Sequence, residues 1–219
     1  MTGPVDGCVV DIYHPTRALT LPGLQRLRRR MPPLASVVYA DFSDRELDLF
    51  ELGRLKIDGV ILTGTTDQPT ETRRAVAGAL AGAAALGLTG ALHGQLHPLG
   101  IECLRWSIEH AEDSPCVTQM AEAFALTPAA LARELHDRRL PTPARLLLWG
   151  RLFGAARLIT NPDRSVQDAA FRLGYSSASA LGRAFRRETG LTPSELRSRG
   201  PLACALDGFL RREVRGRAG

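Results

Sequence analysis

At 219 residues, with 44% apolar side chains, the chain is long enough for one or two globular domains and too apolar to be disordered. Aromatic residues make up only 5%, which argues against a stacking platform for single-stranded nucleic acid. The formal charge of +5 is unevenly placed: residues 1–111 carry 11 basic and 12 acidic side chains, whereas residues 112–219 carry 17 and 11, so the C-terminal half is the one suited to a polyanion.

Along the first ninety residues, strand-like and helix-like runs alternate. Gly7–Tyr13 (GCVVDIY) is short and β-branched, and Leu21–Arg30 has helical spacing with one charged face. Ala35–Ala40 is a second apolar run. Ser43 and Glu46 have capping-box spacing for a helix reaching about Lys56. Gly59–Leu62 is a third strand, and Thr70–Leu86 a long helix with Glu71 in its first turn. Apolar strands separated by helices predict a small parallel sheet covered by helices, an α/β unit. Residues Ala75 to Leu92 carry no charge, but they are mostly alanine and glycine, and a buried helix packed on the sheet fits them better than a membrane span. Gly87 and Gly90 interrupt that run, so Gly87–Gly94 is expected to break the pattern and a domain boundary is expected near residues 90–98.

From Leu99 onward no strand is evident, and the second half reads as all-α. Helices are expected at about 99–112, 115–124, 128–139, 143–160, 165–173, 178–188 and 193–199. Thr127 and Ser177 are N-cap candidates, and Gly190 is a helix stop. A further short helix is expected within Pro201–Arg212. The closing basic segment RREVRGRAG reads as a frayed, solvated terminus.

One pattern occurs twice in this half. VTQMAEAFALTPAALARELHDRRLPTPARL (Val117–Leu146) returns as VQDAAFRLGYSSASALGRAFRRETGLTPSEL (Val166–Leu196). Val117 pairs with Val166 and Ala121 with Ala170. After one extra residue in the second turn, Leu131 pairs with Leu181, Arg133 with Arg183, and Thr142-Pro143 with Thr192-Pro193. Each copy meets the demands of a helix-turn-helix, namely small residues where two helices cross, a compact residue in the turn, and a second helix with apolar residues inward and polar ones outward. In the second copy these are Ala169-Ala170, Gly174, Leu181 with Phe185, and outward Ser179, Arg183, Arg186 and Arg187. In the first they are Ala121, Ala125, Leu131, Leu135 and outward Arg133. Two such units in the basic half predict binding to double-stranded DNA.

At these residues the chain resembles the AraC/XylS family of bacterial transcription regulators, over about residues 98–199. The second unit carries that family's string as Ala169-Ala170, Gly174-Tyr175, Ser176-Ser177, Arg183, Phe185, Arg186-Arg187, Gly190, Pro193 and Arg197. The linker helix would be Pro143–Thr160, where Arg151, Ala155 and Leu158 fit. The resemblance implies two recognition helices in successive major grooves, about 34 Å apart. It carries over Ala129 and Arg133, and Ala178, Ser179 and Arg183, as base-facing residues. Ser177 joins them as a DNA contact at the head of its helix, and Arg186 and Arg187 would hold phosphate. Pro128, Ala129, Ala130 and Ala132 leave the first recognition helix poor in polar groups. Alanine can touch a thymine methyl but cannot hydrogen-bond a base, so Arg133 is expected to carry readout there. Leu140 stands where the second copy has Gly190, so the first recognition helix must end differently.

The N-terminal half resembles a response-regulator receiver domain, truncated and degenerate. Asp11 ends a strand and Pro15 follows four residues later, as around that family's phosphorylated aspartate. Asp11 is thus either a candidate phosphoacceptor or simply a polar strand end. The acidic pair that would hold Mg²⁺ would precede it, and the only lysine, Lys56, is not where one would meet a phosphoryl group near Thr63. A three-stranded sheet also leaves an edge, which implies either a partner chain or a start upstream of Met1.

Other chemistry is thin. Cys8, Cys103, Cys116 and Cys204 have no metal-like spacing and read as buried or partly buried free thiols of a reducing cytoplasm. MTGPVDGC lacks a signal pattern. His93 and His97 are four apart, with Gly94 between them and no third ligand nearby. Arginine supplies every basic residue but Lys56; this suits base and phosphate contacts and equally fits a GC-rich genome. The expectation is a cytoplasmic, non-enzymatic transcription regulator without cofactor, metal or membrane contact. It has a receiver-like domain at 1–97 and an AraC-type domain at 98–219. Duplex DNA, a second copy through the N-terminal domain, and RNA polymerase are its candidate partners. The alternatives are a response regulator switched through Asp11 and a protein-interaction factor with degenerate DNA readout.

Overall fold

The computed structural model describes residues 7–13, 21–30, 34–42, 50, 52–55 and 57–217. The chain divides into two compact units, Met1–Gly87 and Leu88–Gly219. The Ser43–Glu46 capping box, Pro15 and Lys56 lie outside the described residues.

In the first unit, β1 (Gly7–Val10), β2 (Ala35–Ala40) and β3 (Gly59–Leu62) form a parallel sheet in that order. Gly7 pairs with Ala35 and Val10 with Val38; Val37 pairs with Gly59 and Ala40 with Leu62. The two-residue period of β2 feeds two cores. Val38 and Ala40 join Ile12, Leu24, Phe42 and Leu52 on one side, with Leu24 supplied by α1 (Leu21–Arg30). Ala35 and Val37 join Ile61, Ala79 and Ala83 on the other, the last two from α2 (Pro69–Gly90). Burial on both faces is what confines such strands to apolar residues. The predicted bounds of α1, β2 and β3 coincide with the observed ones.

Helix α2 departs from the expected break. It runs through Gly87 and stops at Gly90. A glycine inside a helix costs only ~1 kcal/mol relative to alanine, and the surrounding alanines and leucines outweigh that. The chain then turns through residues 91–95, with Gly94 at φ 79°.

The second unit contains helices and turns, with no strand among its described residues. It comprises α3 (Pro98–Glu109), a 3₁₀ turn (Ala111–Asp113), α4 (Val117–Ala123), α5 (Pro128–Asp137), α6 (Pro143–Thr160), α7 (Val166–Arg172), α8 (Ala178–Thr189), α9 (Pro193–Arg199) and α10 (Pro201–Phe209). Local signals set the starts. Thr127, Thr142, Ser177 and Thr192 each accept a backbone N–H three residues on, and proline opens α5, α6 and α9. Helix α6 is the axis of the unit. Trp149, Leu152, Phe153, Ala155, Ala156 and Ile159 along it are fully buried. It crosses α3 closely at Gly150, where a Cβ would lie 2.5 Å from the Ser107 carbonyl oxygen.

Two expectations are corrected here. As far as Arg217 the basic tail is not frayed: Leu210–Val214 forms a π-helical turn, Arg215–Arg217 a 3₁₀ turn, and Glu213 is buried. The physical reason is that its arginines find backbone carbonyls and its glutamate a guanidinium, described below. Cys116 is exposed, whereas Cys103 is buried and Cys8 and Cys204 are partly so. Cys116 is the N-cap residue of α4, and its backbone N–H donates to Gln119 Oε1 at 2.9 Å. Burial pushes the Cys103 thiol up to about 12, while the Gln119 backbone N–H draws the Cys116 thiol below its ordinary value. His97 caps α3, its Nδ1 accepting from the Leu99 N–H at 3.2 Å. Among the described residues no helix is long and apolar enough to cross a membrane.

Candidate nucleic-acid interface

The two repeated segments fold alike down to single hydrogen bonds. In the first helix-turn-helix, α4 ends with the Ala125 N–H donating to Glu122 O and the Leu126 N–H to Ala121 O, both at 2.9 Å. In the second, α7 ends with the Gly174 N–H on Phe171 O at 3.2 Å and the Tyr175 N–H on Ala170 O at 2.9 Å. Ala125 (φ 55°) and Gly174 (φ 72°) occupy the same left-handed position. Glycine takes it freely, whereas alanine carries a penalty of roughly 1–2 kcal/mol. Ala121, Ala169 and Ala170 are fully buried at the helix crossings.

The second helix of each unit is sided as predicted. Leu131 and Leu135 of α5, and Leu181 and Phe185 of α8, are fully buried. Ala129 and Arg133 are exposed on α5, and Ser179, Arg183, Arg186 and Arg187 on α8. Ala178 is half-buried and gives its backbone N–H to Gln167 Oε1 at 3.1 Å. Ser177 is half-buried too, and its hydroxyl accepts the Ala180 N–H at 3.1 Å, so part of its hydrogen-bonding capacity is spent as the cap. Arg187 Nε donates to buried Glu188 at 2.7 Å; that side chain serves the fold as well as the surface.

The two helices end differently. Gly190 (φ 81°) stops α8. In α5 the left-handed residue is Arg139 (φ 57°), one position before Leu140, and the Leu140 N–H closes the turn on Leu135 O at 2.9 Å. The matched burial of Leu135 and Phe185 also sets His136 at the place of Arg186, and His136 is exposed. The Leu135–Phe185 correspondence in the sequence carries this signal.

Helix α6 holds both helix-turn-helix segments. Arg151 lies over the Tyr175 ring at 5.6 Å. Burial raises the Tyr175 hydroxyl above its ordinary range, and that hydroxyl has no hydrogen-bond partner among the described residues. Arg197 of α9 closes the far end of α6, donating to Ile159 O at 3.2 Å and Arg164 O at 2.6 Å. Arg145 grips buried Glu188 of α8 bidentately, at 3.0 and 2.8 Å. Burial pushes the Glu188 carboxyl up, but hydrogen bonds from Arg145 and Arg187 outweigh it and the net shift is downward.

Asp11 follows β1, is exposed, and accepts its own neighbour's N–H, Tyr13, at 2.8 Å. Among the described residues no three His, Cys, Asp or Glu side chains are placed to hold a metal ion.

A surface with two outward, arginine-bearing second helices on one shared helix is that of a double helix-turn-helix DNA-binding domain. Residues 120–199 match the helix-turn-helix domain family. Over 96 residues, 44% of this chain and 34% of the relative, the chain is 32% identical to the HTH-type transcriptional activator RhaS of Citrobacter koseri. It is 34% identical over 107 residues to the activator of that name from an Escherichia coli strain, covering 49% of this chain and 36% of the relative. The crystal structure of a DNA-binding transcriptional dual regulator from Escherichia coli K-12 superposes with a TM-score of 0.43 at 22% identity, over 48% of this chain and 99% of that one. The matches thus span about a third of the length of the curated relatives. The helix-turn-helix match covers residues 120–199, the part of the chain whose motifs resemble the AraC type.

Proposed function

We propose that this protein is a transcription regulator that binds double-stranded promoter DNA through both helix-turn-helix units. The observation that carries this reading is the in-register pair of exposed second helices, α5 and α8, on the single buried helix α6. Arg183 reads a base edge in one major groove and Arg133 in the next, with Ala129, Ser177, Ala178 and Ser179 beside them. Arg186 and Arg187 sit on phosphate and fix register. The DNA-binding domain comprises residues 98–219. The receiver-like parallel-sheet domain before it pairs two copies or meets a partner such as RNA polymerase, in the cytoplasm and without catalysis. This reading gives no role to Asp11, whose exposed carboxylate accepts the Tyr13 N–H through Oδ1.

The two half-sites are read unequally. Alanine 129 offers only methyl contact, whereas its counterpart Ser179 can donate and accept. Arg183→Ala is expected to weaken a selected operator by roughly 1–3 kcal/mol and relax preference at one base pair. Fluorescence anisotropy with a set of single-base operator variants measures both. Unchanged affinity together with unchanged base preference would remove Arg183 from the readout.

A further inference from the structure

The sequence-matched domain ends at residue 199, yet the chain beyond it is built into the second unit. Phe209 of α10 packs edge-on against Trp149 of α6 at 5.5 Å and 90°, and tilted against Phe153 at 6.1 Å. Gly208 permits this approach, for a Cβ there would lie 3.1 Å from Thr189 Cγ2 and 3.3 Å from the Glu188 carbonyl of α8. Past α10, buried Glu213 accepts from Trp149 Nε1 at 3.0 Å and from Arg145 Nε at 2.8 Å, and it also accepts from Arg145 Nη2. That same guanidinium holds Glu188. Arg212 Nε donates to Glu188 O at 2.9 Å, Arg212 Nη2 to Arg187 O, and Arg211 Nη2 to Thr189 O at 3.3 Å.

These carbonyls belong to the last turn of α8, where helix geometry leaves them without partners and where cations are favoured. Two buried carboxylates around one guanidinium tolerate little movement, because each loses its compensation if the geometry opens. Helix α6 also carries the first helix-turn-helix, α4 and α5, so the pose of α8 on α6 decides where the second recognition helix stands relative to the first.

We propose that Pro201–Arg217 is a clamp in which Glu213, acting through Arg145 and Glu188, fixes the pose of recognition helix α8 on α6 and thereby sets the half-site spacing the protein accepts. The proposal rests on the DNA-binding reading above. Glu213, Arg145 and Arg212 are positioning residues and touch no base.

The test uses the full chain as Glu213→Ala, and as Arg211→Ala with Arg212→Ala. The double variant removes only exposed side chains and keeps Arg145, Glu188 and Glu213, so it stays informative if Glu213→Ala does not fold. Hydrogen exchange of the free protein is the first readout. Amides in the last turn of α8 are expected to exchange about tenfold faster than in the parent, with α4 and α5 unchanged. The second is anisotropy on selected operator duplexes with the half-sites one turn apart or shifted by one or two base pairs. The parent is expected to discriminate sharply against the shifted duplexes and the variants several-fold less. Exchange rising equally in α4 and α5, or a uniform loss of affinity with the parent's spacing profile kept, overturns the clamp. A parent that binds no duplex with preferred spacing overturns the DNA reading and the spacing role with it. Unchanged exchange in α8 then overturns the mechanical clamp as well, while faster exchange confined to α8 upholds it.

Discussion

Gly150→Ala opposes two effects whose sizes the structure decides. The substitution adds one methyl to the middle of α6, where alanine is favoured over glycine by ~1 kcal/mol. That methyl would sit 2.5 Å from both Cβ and carbonyl oxygen of Ser107 on α3. The obstacle is backbone, so no side-chain rotation relieves it and the two helices must separate. Overpacking of this kind costs about 1–3 kcal/mol and sometimes more. A backbone clash belongs at the upper end, leaving a net loss of about 2 kcal/mol. With a urea slope of about 1–3 kcal/mol per molar, the midpoint should fall by roughly 1 M. Both tryptophans, Trp106 and Trp149, lie in the second unit, so their fluorescence reports its unfolding alone. Gly182→Ala in α8 is the matched control. Its new methyl would meet Pro193 Cδ at 3.7 Å, an ordinary contact, and its midpoint should rise by the equivalent of about 0.5–1 kcal/mol. If both variants gain stability, the close α3–α6 crossing is refuted.

Three further outcomes follow from buried and exposed groups. Tyr175→Phe removes a buried hydroxyl that lacks a partner and should stabilise the second unit by about 1 kcal/mol, as leaving such a group unsatisfied is costly; a lower urea midpoint would show that the hydroxyl is bonded after all. Glu188 titrates lower folded than unfolded. Its ionised form therefore stabilises the fold above its unfolded value of 4.5, and that contribution is lost as pH falls through the folded value. Urea midpoints of Glu188→Gln between about pH 5 and pH 3 should fall less steeply than the parent's, and an unaltered slope contradicts the pairing with Arg145. Among the thiols, Cys116 should alkylate fastest with iodoacetamide and Cys103 only on unfolding; peptide mapping of a time course ranks them.

Features written in local patterns were legible. The expected bounds of α1, β2, β3, α6 and α9 match the observed ones, and Thr127 and Ser177 cap α5 and α8 as expected. The double unit was legible because it repeats, and Leu131, Leu135, Leu181 and Phe185 point inward as their spacing requires. The clamp was not. Arg145 and Glu213 are 68 residues apart and Arg145 and Glu188 are 43 apart, and no local rule couples them. A run of arginines beside one glutamate reads as solvated until the carbonyl end of α8 is placed beside it. The left-handed turns at Ala125 and Arg139 were hidden for a related reason, since neither residue advertises positive φ as Gly174 and Gly190 do.

Selection of genomic fragments with the purified protein, followed by anisotropy titration of the enriched DNA at several salt concentrations, tests the central claim most directly. The account predicts a recurrent motif with two half-sites one helical turn apart and an affinity that falls steeply with salt. Binding that falls with salt but enriches no motif, or no binding at all, would contradict it.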